Sequence, residues 1–348
     1  MKIAYLYPKT KRVSFTLIAQ KHIEQLRKRG IEVHEADCNA FSDRDVYPVT
    51  IFHPILYPLA SSPRKYRVLM RRADKLIGFE VCDTDHISPL SAYVCSQFDL
   101  VILPTRFCAN VYKGSGVMTK IDFLPHGVSN AFLREPRVPK DKDVKKIYDL
   151  RGKKILFFLW HSGFRKGADV VAEAFCRLVK MYKDVYLIVK IAGFWDPFLQ
   201  YMFNIPNVKV FNKWLSEDDL IDLYDSVDIV VVPSRGGGFE LNALEGLARG
   251  KIVIVSDWGA FYDYCYQCLR VRARSKIDLF MGDKRAKLIH DGKGVDPDPN
   301  DLFIKLKFAI ENYDLLSVKY RGLMRTVRTH FTWDKIGDRL YQLIKPYL

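Results

Sequence analysis

Residues 235–246 read RGGGFELNALEG, and they follow the apolar run DIVVVPS directly. Three adjacent glycines cost chain entropy and bury nothing, which indicates that something else approaches this backbone closely. The residues up to Gly250 have the composition of a helix, and the first turn of a helix offers unpaired N–H groups and the positive end of a dipole. Strand, glycine turn and helix together predict a site for an anion or a sugar hydroxyl, although many turns of this kind contain glycine for geometry alone.

A second stretch, WHSGFRKGAD at residues 160–169, repeats this arrangement. It follows the apolar run KILFFL, and it places Arg165 and Lys166 between Gly163 and Gly167 at the start of a helical pattern. Parallel sheets bind their ligands at the carboxyl ends of the strands, which is where these cations are expected. The two turns therefore predict a site that holds a diphosphate from two sides.

Apolar runs alternate with helical patterns along the whole chain, which predicts parallel sheets. In the first such unit, KIAYLY is the first predicted strand, a helix begins near Phe15 and ends at Gly30, and IEVHEA is the next strand. DKLIGFEV and DLVILPT are further predicted strands. The predicted apolar face of that helix consists of Leu17, Ile18, His22, Ile23 and Leu26. Residues 134–146, REPRVPKDKDVKK, are nearly all charge and proline and predict a linker, after which the pattern restarts.

These patterns predict an α/β protein with two tandem Rossmann-like, doubly wound domains at residues 1–140 and 148–330. Residues 331–348 contain a final helical segment, for which Thr332 fits the N-cap and Asp334 the first turn. The 348 residues are 49% hydrophobic and 27% charged. That composition supplies two cores and excludes a disordered chain.

The net charge of +15 favours polyanionic partners, namely nucleic acid, anionic membrane surfaces or phosphorylated substrates. Residues 64–75 hold six bases and one acid and residues 270–276 hold four bases, although a solvated surface accounts for either cluster alone. Cys265 and Cys268 form a C-x2-C pair without the second pair that a zinc site needs. Because no run has the pattern of a signal peptide or a transmembrane span, we predict a cytoplasmic protein that at most rests on a membrane surface.

The ordered motifs resemble, over nearly the whole chain, the retaining glycosyltransferases of the GT-B fold (family 4-like, group 1). WHSGFRKG is similar to the family's turn G-R-L-x3-K-G, and GGFELNALEG is similar to E-G-F-G-L-x2-L-E-A. LPHGVSNAF at 124–132 is similar to the segment that closes the N-terminal domain, and IGFEVCDTDHIS at 77–88 is similar to a stretch within that domain. The resemblance implies two domains that face each other across a cleft, with a C-terminal helix that crosses back to the first domain.

The same resemblance implies transfer of a hexose from a nucleoside diphosphate sugar to an acceptor hydroxyl, with retention of configuration and without a metal or other cofactor. Lys166 falls on the lysine that binds the diphosphate and Glu245 on the carboxylate that holds the donor ribose, so the catalytic candidates are Lys166, Glu245 and Arg165. The donor-binding candidates are His161, Ser162, Gly163, Gly237, Gly238, Phe239, Glu240 and Leu241. The acceptor-side candidates are Asp83, Asp85, His86, Lys11 and Arg12.

Three features depart from the family pattern. The family's first carboxylate lies eight positions before the second, where this chain has Gly237, and Glu240 is a candidate to take its place. His161 replaces the arginine of the first turn, with Arg165 as a candidate substitute. The glycine-rich first loop of many members is here the basic PKTKRVS. These departures leave open a degenerate relative without activity.

Other interpretations also stay open at this point. Asp83 and Asp85 form a D-x-D motif like the metal-binding acids of the other large glycosyltransferase fold, but that fold leaves the second αβ half unexplained. The two glycine turns fit a nucleotide-sugar epimerase or a phosphorylase of the same fold less well. A non-catalytic relative that binds nucleic acid or a partner through its basic surface stays open, and a glycosyltransferase that acts on DNA would combine both functions. The expected partners are a nucleotide-sugar donor and a glycan, lipid-linked sugar or protein as acceptor. An anionic membrane surface is a further partner that the charge allows, and nucleic acid is less favoured.

Overall fold

The computed structural model describes residues 2–11, 13–60, 62–159, 163–191, 197, 199–279 and 284–348. The first elements in chain order are β1 (Lys2–Tyr7), α1 (Ser14–Lys28), β2 (Glu32–Asp37), β3 (Val49–Phe52), α2 (Leu56–Ala60), α3 (Pro63–Arg72), β4 (Lys75–Phe79), α4 (Pro89–Cys95), β5 (Leu100–Leu103), α5 (Arg106–Gly114) and β6 (Lys120–Phe123).

The chain then continues with α6 (Lys142–Tyr148), β7 (Lys154–Phe158), α7 (Gly163–Lys166), α8 (Ala168–Met181), β8 (Tyr186–Ile191), α9 (Leu199–Phe203), β9 (Val208–Asn212), α10 (Glu217–Asp225), β10 (Ile229–Val232), α11 (Leu241–Ala248), β11 (Ile252–Ser256), α12 (Phe261–Tyr264) and β12 (Leu269–Val271). The last elements are β13 (Ala273–Asp278), α13 (Lys284–Ile289), β14 (Lys293–Pro297), α14 (Pro299–Glu311), α15 (Tyr313–His330) and α16 (Trp333–Ile344). Short 3-10 helices cover Asp43–Asp45, Asn130–Leu133 and Lys345–Tyr347.

These elements form two compact units. The first unit consists of Met1–Gly127, Asp283–Gly292 and Phe331–Leu348, and the second consists of Val128–Gly282 and Lys293–His330. Each unit has a six-stranded, wholly parallel sheet with helices around it. The predicted fold class, two Rossmann-like domains in tandem, is therefore confirmed.

The sheet of the first unit has the strand order β2-β1-β3-β4-β5-β6. All residues of β3 and β5 are buried, as are five of the six in β1, because helices cover both faces of a parallel sheet. Helix α1 buries Ile18, His22, Ile23 and Leu26 as predicted. The prediction that Leu17 belongs to that face is wrong, because its side chain points away from the sheet and is 48% exposed.

The C-terminal helix α16 packs against α1 of the first unit. Its N-cap is Thr332, whose side chain accepts a hydrogen bond from the Lys335 backbone N–H, as predicted. Arg29, directly after α1, donates to the Asp338 carboxylate at 2.7 Å, and Gln25 on α1 donates to Asp334 at 3.2 Å. The predicted return of the chain end to the first domain is thus confirmed.

The sheet of the second unit has the order β12-β11-β10-β7-β8-β9, with a separate antiparallel pair of β13 and β14. Every residue of β10 and β11 is buried. Strands β7, β8 and β9 run outward to one side and β10, β11 and β12 to the other, so the order of the strands reverses between β7 and β10. A reversal of this kind opens a crevice at the carboxyl ends of the two strands, where doubly wound sheets bind ligands.

The segment 134–146 does not behave as a linker. It belongs to the second unit, and its last residues begin α6. Arg137 donates from Nε to the Asp222 carboxylate at 2.7 Å, and the Lys140 backbone N–H donates to the other oxygen at 2.9 Å. Because the Asp222 side chain on α10 is only 1% exposed, this charged segment satisfies a buried acid and is held against the domain.

Candidate functional site

The two glycine-containing turns lie side by side in the second unit, because they follow the adjacent strands β7 and β10. The Arg235 backbone N–H donates to the Arg165 carbonyl at 2.8 Å. In return, the Arg165 guanidinium donates from Nη1 to the Gly236 carbonyl at 3.0 Å. The two turns are therefore bonded into one structure at the crevice that the strand order creates.

Gly167 makes this close approach feasible. Its φ is +75°, in the left-handed region that favours glycine, and it is the N-cap of α8. A Cβ added there would lie 2.3 Å from the Pro233 carbonyl oxygen at the end of β10. Only glycine therefore allows the first turn to lie directly on the second.

Lys166 and Glu240 form an ion pair between the turns. The Lys166 ammonium lies 2.7 Å from Oε1 and 2.6 Å from Oε2 of Glu240. The two side chains are 12% and 6% exposed, so the pair is shielded from solvent. Arg165 Nη1 lies 3.9 Å from Glu240 Oε1, which gives the cluster two positive charges and one negative charge.

The Glu240 carboxylate explains one of the three glycines. A Cβ added at Gly237 would lie 2.6 Å from Glu240 Oε1, so the carboxylate occupies the space that a side chain at position 237 would need. In the resembling family a carboxylate is supplied by the residue at that position. Here position 237 has no side chain, and a carboxylate from three residues further along the chain lies against it.

Tyr264 fixes the loop that carries Glu240. Its hydroxyl donates to the Glu240 carbonyl at 2.9 Å and accepts from the Glu240 backbone N–H at 3.2 Å. Its ring stacks on Phe239 with centroids 4.5 Å apart and an interplanar angle of 17°. No local sequence signal identifies Tyr264, because it reaches the loop from α12 through the tertiary fold.

Glu245 lies half-buried on α11, five residues beyond Glu240. The Tyr224 hydroxyl on α10 donates to its Oε2 at 2.7 Å. Burial raises the pKa of Glu245 to about 7, and the hydrogen bond from Tyr224 opposes that rise. The hydrogen bond thus orients the Glu245 carboxylate through its Oε2.

Arg235 is a buried cation that sequence reasoning treated only as the flank of the glycines. It donates to both oxygens of Asp169 at 2.6 and 2.8 Å, to Asp296 at 3.0 Å and to the Phe164 carbonyl at 2.7 Å. Its guanidinium also lies 4.1 Å from the centre of the Phe164 ring. Because two carboxylates balance its charge, Arg235 joins α8 and β14 to the glycine turn and holds the site together.

Lys190, near the carboxyl end of β8, is a second buried cation that the sequence analysis missed. Its ammonium donates to the carbonyls of Ile191 at 2.6 Å and Lys213 at 2.5 Å. Burial lowers the pKa of Lys190 to about 8. A lysine within the otherwise apolar run YLIVKI is the sequence feature that could have identified this buried cation. In the structure Lys190 holds the turn after β9, where Trp214 lies.

The acceptor-side candidates lie in the first unit. His86 follows β4, and its Nδ1 lies 2.7 Å from Asp291 Oδ1 just after α13, with both side chains partly exposed. Asp85 lies beside Gly292, where a Cβ would come within 2.7 Å of Asp85 Oδ1. Thr84 of the same segment donates to the His86 carbonyl at 2.7 Å. The Asp83–His86 segment is thus fixed by residues about 200 positions away in the sequence, which no local pattern revealed.

Glu80 lies directly after β4, three residues before Asp83. It is buried and accepts hydrogen bonds from the backbone N–H groups of Leu56 at 2.7 Å and Val81 at 3.0 Å. Burial raises the pKa of Glu80 to about 8 against the effect of those bonds. Within the described ranges, no three His, Cys, Asp or Glu side chains are grouped closely enough to hold a metal ion, and that includes Asp83 and Asp85.

The predicted residues therefore fall into three groups. The structure brings Lys166, Arg165, Glu240 and the loop of Gly236, Gly237, Gly238 and Phe239 together, with Gly163 at the start of α7 and Leu241 and Glu245 on α11. Asp83, Asp85 and His86 lie in the first unit, where exposed Lys11 lies on the turn after β1. His161, Ser162 and Arg12 lie outside the described residues.

Comparison with known proteins agrees with this geometry. Residues 152–268, which contain both turns, match the family described as "Glycosyl transferases group 1". "Putative glycosyltransferase 45" of Sulfolobus islandicus filamentous virus is 26% identical over 327 residues, which covers 89% of this chain and 87% of the relative. The protein is a glycosyltransferase with the GT-B fold.

A further sequence relative and a solved structure of the same fold match this glycosyltransferase over nearly its whole length. "Uncharacterized protein 356" of Sulfolobus islandicus rod-shaped virus 1 is 28% identical over 365 residues and covers 99% of this chain and 98% of its own. The solved structure of HepE from Anabaena in complex with UDP and glucose has a TM-score of 0.70 at 13% identity, and it covers 99% of this chain and 100% of its own. At that identity the likeness establishes the fold.

Proposed function

We propose that this glycosyltransferase moves a hexose from a nucleoside diphosphate sugar to an acceptor hydroxyl, with retention of configuration and without a metal cofactor. The observation that carries the proposal is the Arg165, Lys166 and Glu240 cluster, which lies where the second sheet reverses its strand order. Two cations and one carboxylate there match the chemistry of a diphosphate joined to a sugar. The UDP and glucose bound by HepE, which has the same fold, further support a donor of this class.

The donor reaction places negative charge on the leaving phosphate as the bond between the anomeric carbon and the phosphate oxygen breaks. Lys166 and Arg165, with the backbone N–H groups near Gly238, would stabilise that charge electrostatically. These groups are fixed before the donor arrives, because the two turns are bonded to each other and Arg235 braces them. A fixed pair of protein cations supplies the charge compensation that a metal ion supplies in other transferases.

The two carboxylates would orient the donor at its two ends. Glu240, next to the Lys166 ammonium, would accept hydrogen bonds from hydroxyls of the transferred sugar. Glu245, oriented by Tyr224, would accept them from the ribose. Neither acts as a nucleophile in this scheme, because the contribution of each is to hold the donor in one reactive geometry.

The acceptor would bind to the first unit, near Asp83, Asp85 and His86. The contact between His86 Nδ1 and Asp291 leaves Nε2 to meet a sugar hydroxyl, with the ring orientation fixed by the carboxylate. Exposed Lys11, after β1, adds positive charge to the same unit, which suits an acceptor that carries phosphate. We propose that the enzyme works in the cytoplasm on a glycan, lipid-linked sugar or protein acceptor.

The test is turnover of a panel of nucleoside diphosphate sugars, first chosen by the shift each causes in the melting temperature. We expect at least one donor to stabilise the protein and to be hydrolysed slowly without acceptor, and hydrolysis to continue in excess chelator. Proton NMR of the newly formed glycoside should show the anomeric configuration of the donor. Activity that is lost with chelator and restored by Mg²⁺ or Mn²⁺ would contradict the metal-free site, and donor binding without any turnover would identify an inactive relative.

A further inference from the structure

Helix α3 of the first unit carries a stripe of arginines without acidic partners. Arg64, Arg67 and Arg71 are exposed at helical spacings of three and four residues, so they share one face. No acidic residue occurs within Pro63–Arg72. Within the part of the chain that the structure describes, none of these three arginines forms an ion pair. Leu69 on the opposite face is fully buried in the core, which fixes the outward direction of the stripe.

Large apolar side chains lie exposed next to this stripe. On α4, Leu90 and Tyr93 are 56% and 61% exposed and share one face of the helix. Tyr93 lies close to Tyr66 of α3, because it adds to the effect of burial in raising the pKa of Tyr66. Helices α3 and α4 both pack against α2, and Tyr66 of α3 and Val94 of α4 pack against the same core of the first unit. The surface formed by Arg64, Arg67, Arg71, Leu90 and Tyr93 is called the α3–α4 face below.

Further apolar groups continue the α3–α4 face. Met70 on α3 is 43% exposed. Met118 is 86% exposed, and its backbone N–H donates to Ser96 directly after α4, at 2.9 Å. Exposed aliphatic groups of this size that are grouped beside cations mark an interaction surface more often than scattered single residues do.

We propose that the α3–α4 face docks on an anionic phospholipid bilayer. The phosphate groups of such a surface would pair with the three arginines, whose long side chains reach the headgroup level while their stems stay in apolar surroundings. Leu90, Met70 and Met118 would enter the boundary of the acyl chains, and Tyr93 would lie at the interface with its hydroxyl in water. Aliphatic side chains gain nothing from a nucleic-acid backbone, which favours lipid as the occupant.

The proposed docking fits the mode in which a protein lies on a membrane rather than spans it. No helix of the described ranges has the length and the hydropathy of a transmembrane segment. The proposed function does not carry this inference, because the face is defined by its own charge and exposure.

The experiment is flotation of the full-length protein with vesicles of phosphatidylcholine, with and without phosphatidylglycerol, at low and high salt. We compare the parent protein with Arg64→Gln/Arg67→Gln/Arg71→Gln. The matched control is Lys142→Gln/Lys145→Gln/Lys146→Gln, which removes the same net charge from exposed positions of α6. Each basic residue near an anionic membrane contributes about fivefold in affinity, so the arginine variant should bind about 100-fold more weakly and the lysine variant like the parent.

A second variant tests the apolar part of the α3–α4 face. Leu90→Ser/Tyr93→Ser keeps the charge and should weaken the binding that survives high salt, while both variants keep the melting temperature and the donor hydrolysis of the parent. Equal loss of binding in the arginine and lysine variants would overturn the proposal, because it would show that net charge alone is responsible. Binding to duplex DNA that is lost in the arginine variant but unaffected by Leu90→Ser/Tyr93→Ser, with no vesicle binding, would overturn it in favour of nucleic acid.

Discussion

The Lys166–Glu240 pair sets the chemistry of the candidate donor site, because each residue limits what the other can do. Lys166 is the cation placed to meet a diphosphate, yet in this structure both oxygens of Glu240 lie within 2.7 Å of it. Glu240 in turn is buried, and a buried carboxylate is tolerated only with such a partner. Substitution of the two residues should therefore change nucleotide binding in opposite directions.

Lys166→Ala should weaken the binding of nucleoside diphosphate, because it removes a charge-assisted hydrogen bond worth roughly 1.5–3 kcal/mol, or about 10- to 100-fold in Kd. Calorimetry with UDP and other nucleoside diphosphates measures the change. Lys180→Ala, at an exposed position of α8, is the control and should bind like the parent. Parent-like binding by Lys166→Ala would show that the diphosphate site lies elsewhere.

Glu240→Gln should strengthen the binding of nucleoside diphosphate while it weakens transfer. The substitution removes a negative charge 2.6 Å from Lys166, so less of the ammonium charge is neutralised within the protein and the attraction for the diphosphate increases; the gain should be about 1 kcal/mol, roughly fivefold in Kd. Transfer should fall, because the proposed contact of the carboxylate with the transferred sugar is lost. Measurements of Kd for the diphosphate and of kcat for the complete donor separate the two effects. A weaker Kd for the diphosphate would contradict the opposing roles of the pair.

At the scale of elements, the site depends on how closely the turn after β7 approaches the end of β10. Gly167 determines that distance, since its backbone conformation and the 2.3 Å clearance to the Pro233 carbonyl both exclude a side chain. The turn positions Arg165 and Lys166 together, so a shift of this one residue would move both cations. Stability and donor binding should therefore be coupled at this position.

Gly167→Ala should destabilise the protein by about 2 kcal/mol or more, because it adds left-handed backbone strain of about 1–2 kcal/mol and a steric clash. Nucleotide affinity should fall with it. Gly322→Ala is the matched control: Gly322 lies within α15, nothing lies within 4 Å of its added Cβ, and the substitution should stabilise the helix by about 0.5–1 kcal/mol. Chemical denaturation of both variants measures the difference. Equal stabilities would show that the turn can relax without cost.

The sequence predicts the elements of this fold well because they depend on local patterns. The apolar runs of β10 and β11 and the glycine turns identify the second sheet and its ligand edge from periodicity and composition alone. The contacts of Tyr264, Tyr224 and Lys190 could not be predicted, because each joins residues that only the tertiary fold brings together. The charged segment 134–146 was misinterpreted for the same reason, since its partner Asp222 is a buried acid on a helix 80 residues later.

At the scale of the whole molecule, the order of the chain is less regular than two consecutive domains. Asp283–Gly292 and Phe331–Leu348 both belong to the first unit, although they follow most of the second unit in the sequence. The final helix could be predicted from the family resemblance, but the short segment with Asp291 could not, because ten residues carry no distinctive pattern. That segment supplies the partner of His86, so one acceptor-side candidate depends on a chain return that only the structure reveals.

The first unit also contains a cluster of buried histidines that should control its stability toward acid. The Tyr5 hydroxyl lies 2.9 Å from His22 Nδ1 and 3.1 Å from His53 Nδ1, and the Trp333 ring packs near both His22 and His126. Burial lowers the pKa of His53 and of His126 to about 3, and it lowers the pKa of His22 well below its usual value. All three rings are therefore neutral in the folded protein at neutral pH.

Acidification should destabilise the first unit, and His53→Gln should reduce that effect. A histidine in the unfolded chain binds a proton below about pH 6.5, whereas the folded His53 ring stays neutral down to about pH 3. The contribution of the neutral ring to the free energy of unfolding is therefore fully present above about pH 6.5. It is lost progressively as the pH falls from about 6.5 to about 3. Each histidine should contribute about 1.4 kcal/mol per pH unit in this range, which for three rings is about 4 kcal/mol per pH unit. The measurement is urea unfolding at pH 7, 6 and 5, followed by hydrogen exchange of β1 and α1 peptides. The slope of the free energy of unfolding against pH should be smaller by about 1.4 kcal/mol per pH unit in His53→Gln than in the parent. The exposed residue His330 provides the control, since His330→Gln should keep the slope of the parent. An unchanged slope in His53→Gln would mean that the His53 ring already accepts a proton in the folded state.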